Sequence, residues 1–453
     1  MLNQEAITTT YRDLLLREPE PAALAALLAA PRGPGEAWLA AELSASKEFR
    51  TVVEPLRRLL LHEWEHWAFR RPTASELASG VDATRGRCGS DEAVRRALAD
   101  GSIRSKLAFR PIKLEMDITN QCNLRCVMCH FSMASYHERP QRHITLDRFQ
   151  ALGEQVFHRA HQVSLSYGTE PLLHKDIGGL LACLQKHEVP HTYMHTNGLL
   201  LRESVIEAMI AHAFSFLFVS VDAATAETYE RIRVGGSFRR LLDRLALLRS
   251  LKERHGSQLP RLGLGFVLMR QNMAELPAFV EFAARVGAES VNAMHMAVWE
   301  GVGNDAMGAN QEKQRCNDAI AAAREVAARA GIKLVAPPAF EVAARDRSLV
   351  ADVAQRGREY GLADAPRVAS CPFPWGFAAI DPEGEVLPCG WWDRTLPGSM
   401  GNVFKTSFAD IWRGRPFQAL RERLRAHRLE GPCAHCPAAG MGAPDAAAAF
   451  RAI

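Results

Sequence analysis

The sequence has no long apolar run and no excess of charge of one sign. Its 453 residues include 55 Lys and Arg against 51 Asp and Glu, so the formal net charge is only +4. Charges of both signs are interleaved, which leaves no electrostatic footprint for a nucleic acid or a membrane surface. No apolar run reaches the roughly 18 residues that a membrane-spanning helix needs. We therefore expect neither a nucleic acid nor a membrane as a partner.

A signal-peptide pattern is also missing, because "MLNQEAITTTYRDLLL" has no basic segment followed by an apolar one. We therefore expect a soluble, cytoplasmic protein. In that reducing compartment, the ten cysteines are more often metal ligands or core residues than disulfide partners. Cys88, Cys183 and Cys316 stand alone and are interpreted as small buried side chains or surface thiols. The other seven cysteines are grouped.

The first hundred residues contain a degenerate repeat. "YRDLLLREPEPAAL" at 11–24 aligns without a gap with "WEHWAFRRPTASEL" at 64–77, and Pro19 coincides with Pro72. Each copy predicts a helix, a proline-marked turn that starts a second helix, and a third helix. Chance similarity between two amphipathic segments rich in Ala, Leu and Arg is the alternative. We interpret residues 1–108 as a helical N-terminal domain for recruitment or scaffolding.

The first copy also resembles a small helical domain of unknown function with a Tyr-Arg-x-Leu-Leu-x-Arg-Glu-Pro signature, found beside glycan-related and other enzymes. Leu16 stands where that domain often has glycine.

From about residue 112, apolar runs rich in β-branched or aromatic residues alternate with amphipathic helical segments. This alternation predicts parallel strands with right-handed helical crossovers. Six such units predict an α/β fold, a partial (β/α)6 barrel over residues 109–335 that binds ligands at the C-terminal ends of its strands. The six runs are "IKLEMDIT", "QVSLSYG", "TYMHTNG", "FLFVSVDA", "RLGLGFVLM" and "SVNAMHM".

Three cysteines, Cys122, Cys126 and Cys129, occupy the loop after the first predicted strand. Thiolates are the usual ligands of iron–sulfur clusters, and a cubane has four irons, so three thiolates leave one iron without a protein ligand. A site that acts on a small molecule keeps such a position free, whereas a structural site closes it. A zinc site is the alternative, although zinc motifs favour two paired arms and His130 abuts Cys129 too closely to serve easily as a fourth ligand.

The Cys-x3-Cys-x2-Cys spacing after a first barrel strand resembles the signature of radical S-adenosylmethionine (SAM) enzymes, with Met128 where the family often has an aromatic residue. The resemblance implies that the three cysteines hold a [4Fe-4S] cluster whose open iron binds SAM. It further implies reductive cleavage of SAM to a 5′-deoxyadenosyl radical that abstracts hydrogen from a substrate. The electron would come from a low-potential donor such as flavodoxin or ferredoxin.

Three later segments match the same family in order and position. "YGTEP" after the second strand resembles the family's Gly-Gly-Glu-Pro segment, with Thr169 in place of the second glycine, and "HTNG" and "VSVDAATAETYERIR" follow the third and fourth strands. The resemblance implies that Glu170 faces the amino group of SAM, Ser220 its ribose or methionyl end and Arg233 its carboxylate, while Asp222 supports the loop or binds the ribose. The candidate SAM residues are Gly168, Thr169, Glu170, Asn197, Ser220, Asp222 and Arg233.

Each of these segments, taken alone, also fits an ordinary turn with a helix-initiating proline or a capped helix start with solvated charges. A further glycine-rich segment, "GVGNDAMG" at 301–308, lacks the G-x-G-x-x-G spacing of a nucleotide loop. We interpret it as a loop that either faces the substrate or has no role.

The last third, residues 336–453, holds the other four grouped cysteines. Cys371 and Cys389 flank a predicted hairpin turned by "DPEG", with Gly384 in a Gly-x4-Cys arrangement, and Cys433 and Cys436 follow a predicted helix. The stretch resembles the SPASM or twitch auxiliary-cluster domains attached to radical SAM enzymes. Full SPASM domains carry seven cysteines, so four imply one fully ligated second [4Fe-4S] cluster in a small α+β domain. A four-cysteine zinc knuckle is the alternative.

A fully ligated second cluster cannot bind substrate and is better suited to accept an electron, which favours net oxidation of a small metabolite, sugar or glycan precursor. The alternative is a maturase that modifies a peptide or protein, although the N-terminal repeat does not resemble the winged-helix element common in such relatives. A non-catalytic iron–sulfur sensor or scaffold is the third hypothesis, and it needs no SAM motifs. The sequence identifies no general base, although five polar residues lie in or beside loops near the predicted site. These are His130, Tyr167, His195, His295 and Asp393.

If both cysteine groups bind clusters, anaerobic reconstitution with iron and sulfide should give about eight irons per chain. Reduction in the presence of SAM should then give 5′-deoxyadenosine, detected by mass spectrometry. About four irons with zinc in the second site would remove the auxiliary cluster and the oxidation argument. Iron without SAM cleavage would favour the sensor or scaffold.

Overall fold

The computed structural model describes residues 2–15, 18–29, 36–69, 71–107, 109–296, 302–340, 371, 373–389, 398–426, 428 and 433. The chain divides into two compact units, Met1–Pro111 and Ile112–Ile453. Within the described ranges, no helix is both long and apolar enough to cross a membrane. The domain limits 1–108, 109–335 and 336–453 stay a prediction.

The first unit, where described, is built from helices, with α1 to α3 in the first predicted repeat copy and α4 to α7 in the second. The second copy turns at Pro72, and Thr73 then caps helix α5 in a reciprocal capping box with Glu76. The Arg85 side chain links the two copies, because it donates to the Leu15 carbonyl (2.9 Å) and to the Glu48 carboxylate (2.9 Å). The helices are α1 (Gln4–Leu15), α2 (Pro21–Ala29), α3 (Glu36–Ala45), α4 (Glu54–Trp67), α5 (Ala74–Cys88), α6 (Asp91–Ala99) and α7 (Ile103–Lys106).

The second unit, where described, is built on a nine-stranded sheet in the order β7-β6-β5-β4-β3-β2-β1-β8-β9. Strands β1 to β7 pair in parallel, as the alternating pattern predicts, and the six predicted strands are all present. The strands are β1 (Ile112–Met116), β2 (Ala160–Ser164), β3 (His191–Thr196), β4 (Phe216–Ser220), β5 (Arg261–Leu268), β6 (Ser290–His295), β7 (Lys333–Val335), β8 (Phe377–Ile380) and β9 (Val386–Leu387).

Helices connect the parallel strands. Helix α9, for example, starts at its Thr145 cap and buries Phe149, Leu152 and Val156, which recur at helical spacing. The helices of this unit are α8 (Ala134–His137), α9 (Leu146–Val156), α10 (Ile177–Lys186), α11 (Glu203–Ala211), α12 (Ala226–Ile232), α13 (Phe238–Arg254), α14 (Leu276–Arg285), α15 (Lys313–Ala330), α16 (Phe373–Gly376), α17 (Phe408–Arg413) and α18 (Arg415–Arg425).

The sheet curves into a partial barrel with a packed interior. Val335 of β7 packs against a cluster formed by Tyr193 of β3 and by Phe216 and Phe218 of β4. Three strands separate β7 from β3 in the sheet, so this contact crosses the concave side. The predicted α/β partial barrel is confirmed, and these aromatic side chains form its floor.

The C-terminal hairpin extends the barrel sheet, which the sequence did not predict. Strand β8 pairs in parallel with β1 from Lys113↔Phe377 to Met116↔Ile380, and β9 returns antiparallel. The predicted "DPEG" turn is confirmed: Asp381 accepts the Gly384 amide at its carbonyl, and Gly384 has φ +89°. The hairpin next to Cys389 is therefore hydrogen-bonded to the strand that leads into the first cysteine loop.

Replacing Gly384 with alanine should weaken the hairpin, because the backbone lies in the left-handed region and a Cβ there would overlap the Phe404 ring. We expect a loss of about 2–4 kcal/mol in the local opening free energy of β8 and β9, measured by amide hydrogen exchange. Gly256→Ala is the matched control, because Gly256 also has a positive φ (+58°) but a Cβ added there would meet no atom within 4 Å. Equal protection of β8 and β9 in both variants would contradict the steric argument.

Candidate functional site

The C-terminal ends of the first four strands bring the four predicted motifs together. The loop with the first three cysteines, residues 121–130, is hydrogen-bonded to each of the other motifs, so its main chain is held on three sides. The contacts join the Glu170 amide to the Gln121 carbonyl (2.9 Å), the Asn197 side-chain amide to Asn123 Oδ1 (2.8 Å), the Arg125 amide to the Val234 carbonyl (2.9 Å) and the Val127 amide to the Ile232 carbonyl (3.0 Å).

The three thiols of this loop lie in a largely water-excluded setting. Cys126 is buried, and Cys122 and Cys129 are half-buried. Burial raises the pKa of Cys122 to about 12 and that of Cys129 to about 11, so a thiolate there needs a nearby positive charge. A bound metal supplies that charge, because a coordinating thiol is deprotonated outright. Three soft, desolvated donors on one loop are chemically suited to iron–sulfur binding. Within the part of the chain that the structure describes, no three His, Cys, Asp or Glu side chains are already arranged to hold a metal ion, so the cluster assignment stays a prediction.

Glu170 is fully buried behind this loop. One carboxylate oxygen accepts from the Thr196 hydroxyl (2.6 Å) and the Leu172 amide (3.1 Å), and the other accepts from the Asn197 amide (2.7 Å). Burial raises the pKa of Glu170, and these donors oppose the rise. The second oxygen has one unused lone-pair direction, which leaves the carboxylate able to accept from a cationic ligand.

Asp117, which the sequence analysis missed, organises the loop after β2. One oxygen of its buried carboxylate accepts from the amides of Tyr167 (2.8 Å) and Gly168 (2.9 Å) and from the Thr169 hydroxyl (2.8 Å). Thr169 therefore uses its hydroxyl where the related families have a second glycine. Asp117 could have been identified from the sequence as an acidic residue directly after β1, at the edge of the sheet where ligands bind.

Asp222 and Arg233 form a buried ion pair beside Cys126. The guanidinium approaches Asp222 Oδ2 at 2.5 Å and reaches Cys126 Sγ at 3.7 Å through its other terminal nitrogen. Asp222 has φ +66°, and its other oxygen accepts the Val267 amide (2.7 Å), which favours the loop-supporting role that the sequence analysis considered. Because removal of one partner leaves a buried charge that costs about 3–5 kcal/mol, an Arg233→Ala variant would test the fold as much as the site.

Ser220 lies at the end of β4 and is half-buried. Its register partner on β5 is Gly265, and the atom nearest to a Cβ added there would be the Ser220 Cα at 3.6 Å. The segment "GVGNDAMG" contributes Asn304, which is buried and donates to the Met128 carbonyl in the cysteine loop (3.0 Å). This part of the glycine-rich segment thus contacts the candidate cluster site, a role that its sequence alone did not reveal.

The C-terminal cysteines are only partly described. Cys371 precedes α16, Cys389 follows β9 by two residues, and both are half-buried, as is Cys433. The Tyr167 hydroxyl lies 3.5 Å from the Cys389 carbonyl, so the loop after β2 approaches this region. Cys436 and Asp393 lie outside the described residues.

Comparisons with known proteins agree with this geometry. Residues 116–283 match the model of the radical SAM superfamily, and residues 371–437 match the SPASM iron–sulfur cluster-binding domain. The PqqA peptide cyclase of Granulibacter bethesdensis is 28% identical over 338 residues, which cover 72% of this chain and 79% of that protein. The AdoMet-dependent heme synthase of Methanosarcina barkeri is 24% identical over 329 residues, covering 72% and 88%.

Among solved structures, Streptococcus suis SuiB bound to S-adenosylmethionine superposes with a TM-score of 0.55 at 15% identity, covering 88% of this chain and 83% of that one. SuiB bound to its precursor peptide SuiA gives a TM-score of 0.53 at 14% identity, covering 77% and 72%. At 14–15% sequence identity, these superpositions show a similar fold and nothing more. The two matched families imply SAM, a [4Fe-4S] cluster and auxiliary iron–sulfur binding as cofactors. The chain belongs to the radical SAM superfamily and carries a C-terminal SPASM domain.

Proposed function

We propose that this radical SAM enzyme modifies a peptide or protein substrate. The observation that carries the proposal is the similarity to the PqqA peptide cyclase, which spans 72% of this chain and 79% of that protein. The SuiB structure with a precursor peptide adds a likeness in fold to a peptide-binding relative. This proposal replaces the small metabolite that the sequence analysis favoured. The argument against a peptide substrate was that the N-terminal repeat does not resemble a winged-helix element, and the similarity to the PqqA peptide cyclase outweighs it.

A small-molecule substrate remains the second candidate because of one relative. The AdoMet-dependent heme synthase is matched over 88% of its length, and its name denotes a tetrapyrrole product. The two candidates differ in substrate and share the same radical core, so a direct comparison of substrates separates them.

When bound, SAM and the reduced cluster supply a 5′-deoxyadenosyl radical that removes a hydrogen atom from the substrate. We assign the cluster to Cys122, Cys126 and Cys129. Glu170 holds the amino group of SAM through its unused lone pair. Ser220 and Arg233 face the remaining polar groups of SAM, with Arg233 kept in place by Asp222.

The auxiliary cluster completes the proposal. We assign it to Cys371, Cys389, Cys433 and Cys436, which the SPASM match spans. With four protein ligands, such a cluster would have no open iron and would be suited to accept an electron. Loss of a hydrogen atom to the 5′-deoxyadenosyl radical, followed by loss of an electron to this cluster and a proton to solvent, would amount to a net two-electron oxidation of the substrate. The protein would then be an oxidoreductase, with a low-potential donor such as flavodoxin or ferredoxin as the source of the first electron.

Glu170→Gln should weaken SAM binding while iron is retained. The amide removes the negative charge and turns an N–H toward groups that already donate to Glu170. We expect at least a roughly tenfold rise in Kd for SAM, equivalent to about 1.4 kcal/mol, measured anaerobically by equilibrium dialysis. Glu154→Gln is the control, because Glu154 is exposed and pairs with Lys186. Unchanged SAM affinity at normal iron content would refute the assignment of Glu170.

The substrate class can be tested with synthetic peptides translated from short reading frames beside this coding sequence. With reconstituted enzyme, SAM and dithionite, we expect one peptide to increase 5′-deoxyadenosine formation and to lose two hydrogen atoms, both measured by mass spectrometry. An iron-free tetrapyrrole is the comparison substrate. Stimulation by the tetrapyrrole and by no peptide would reverse the order of the two candidates.

A further inference from the structure

His195 lies in the barrel interior, and none of the roles assigned above uses it. The aromatic floor of Tyr193, Phe216 and Phe218 closes the lower part of the lumen, and the Tyr193 hydroxyl donates to Glu115 Oε1 on β1 (2.7 Å). Side chains alternate along a strand, so His195 points to the same concave side as Tyr193, one level higher.

The His195 imidazole packs against two of the aromatic rings of the floor. Its imidazole stacks on Phe218 with ring centroids 4.9 Å apart and planes at 15°, and it meets the edge of Tyr193 at 5.8 Å. Its main-chain amide donates to Ser166 Oγ (2.6 Å), which fixes the strand beneath the ring. Within the described ranges, its two ring nitrogens have no hydrogen-bond partner.

The residues directly above His195 belong to the proposed SAM site. Thr196 and Asn197 both donate to Glu170. Asn197 comes two residues after His195 along β3 and its continuation. At a rise of roughly 3.3 Å per residue, the Cα atoms of His195 and Asn197 are about 6–7 Å apart. His195 therefore lies between the closed floor and the SAM-binding level, where a substrate must lie to meet the radical.

The lumen is less tightly filled directly above this histidine than below it. The neighbours of His195 in register are Phe218 on β4 and Gly263 on β5, and Ser220 and Gly265 lie one level higher. An added Cβ at Gly263 would collide with the floor rings at 2.7 Å, whereas the nearest atom to one at Gly265 is the Ser220 Cα at 3.6 Å, an ordinary contact distance. The His195 side chain is half-buried, so part of it is accessible from this upper level.

The electrostatic setting keeps the ring uncharged. Burial, together with the Lys113 ammonium, lowers the pKa of His195 to about 4. Lys113 is itself paired with Glu115 (3.3 Å), and the neighbours from β4 are apolar. At neutral pH one ring nitrogen therefore accepts a hydrogen bond and the other donates one.

Two other histidines near the site differ from His195 in their surroundings. The His295 ring packs on Phe340 with centroids 4.3 Å apart, and the His130 ring packs on Phe131 and Tyr136 outside the lumen floor. His130 also lies beside Cys129, with 3.9 Å between its Nδ1 and the Cys129 Sγ, so it belongs to the cysteine loop and not to the aromatic floor.

We propose that His195 is the substrate-contacting residue of the barrel and accepts a hydrogen bond from an N–H or O–H group of the substrate beside the carbon that loses its hydrogen. This deepens the proposed function and rests on its radical core; the group it recognises is one that a peptide backbone or side chain carries.

The position of His195 can be tested without any substrate. In D2O, a His195→Cys variant carries an exchangeable S–D bond at the proposed substrate position. The 5′-deoxyadenosyl radical would take the deuterium atom, forming a C–D bond and leaving a thiyl radical that dithionite reduces. With SAM and dithionite alone, we expect at least a tenfold higher deuterium content in 5′-deoxyadenosine than for the wild type, measured by mass spectrometry.

Met194→Cys is the matched control, because Met194 is the preceding residue on the same strand, is fully buried and points to the opposite face. Its 5′-deoxyadenosine should match the wild type. Wild-type deuterium levels in both variants, at normal iron content and SAM affinity, would overturn the proposal.

A second measurement does not depend on turnover. In the cluster-loaded His195→Cys variant, iodoacetamide should alkylate the introduced thiol, located by peptide mass spectrometry, and SAM should slow that reaction at least fivefold. The thiol of Met194→Cys should react slowly with or without SAM. A thiol at position 195 that SAM does not protect would also contradict the proposal. Neither measurement uses a peptide. Both can therefore be interpreted even if no peptide stimulates 5′-deoxyadenosine formation.

Discussion

The carboxylate of Asp117 connects the parts on which the site depends. Asp117 ends the first barrel strand just ahead of the cysteine loop, and it gathers three donors from the loop after β2. Its main-chain amide donates to the Ile380 carbonyl at the end of β8 (2.9 Å). One buried residue thus links the loops that follow β1 and β2, both part of the proposed SAM site, to the C-terminal hairpin. A buried carboxylate is tolerated here because several hydrogen bonds satisfy it.

Much of the fold and the order of its motifs was predictable from the sequence. The six main strands are runs of five to eight residues rich in apolar side chains. The first four are each followed by a polar motif that must lie at the C-terminal end of its strand. Strand β7 was missed because its three residues, Lys333–Val335, carry no periodic signal. The pairing of β8 with β1 was missed because a residue pattern specifies strands and not which distant strand they join.

The site was predictable at the level of residue types and less so at the level of partners. Glu170 was expected to offer its charge to a ligand, yet three of its lone-pair directions already accept protein donors. Arg233 was expected to face the carboxylate of SAM, and in the structure its guanidinium also contacts Asp222 and Cys126. Such sharing depends on which loops meet in space. Local sequence does not carry that information, because Asp117 and Thr169 lie 52 positions apart.

The parallel pairing of β8 with β1 has a mechanical consequence. Four consecutive register pairs join the two strands. Cys389 lies two residues after β9, the second strand of the same hairpin. These hydrogen-bonded pairs couple the start of the hairpin to the strand that leads into the first cysteine loop. A shift of β8 relative to β1 would break main-chain hydrogen bonds, so the ladder limits how far the two strands can move apart.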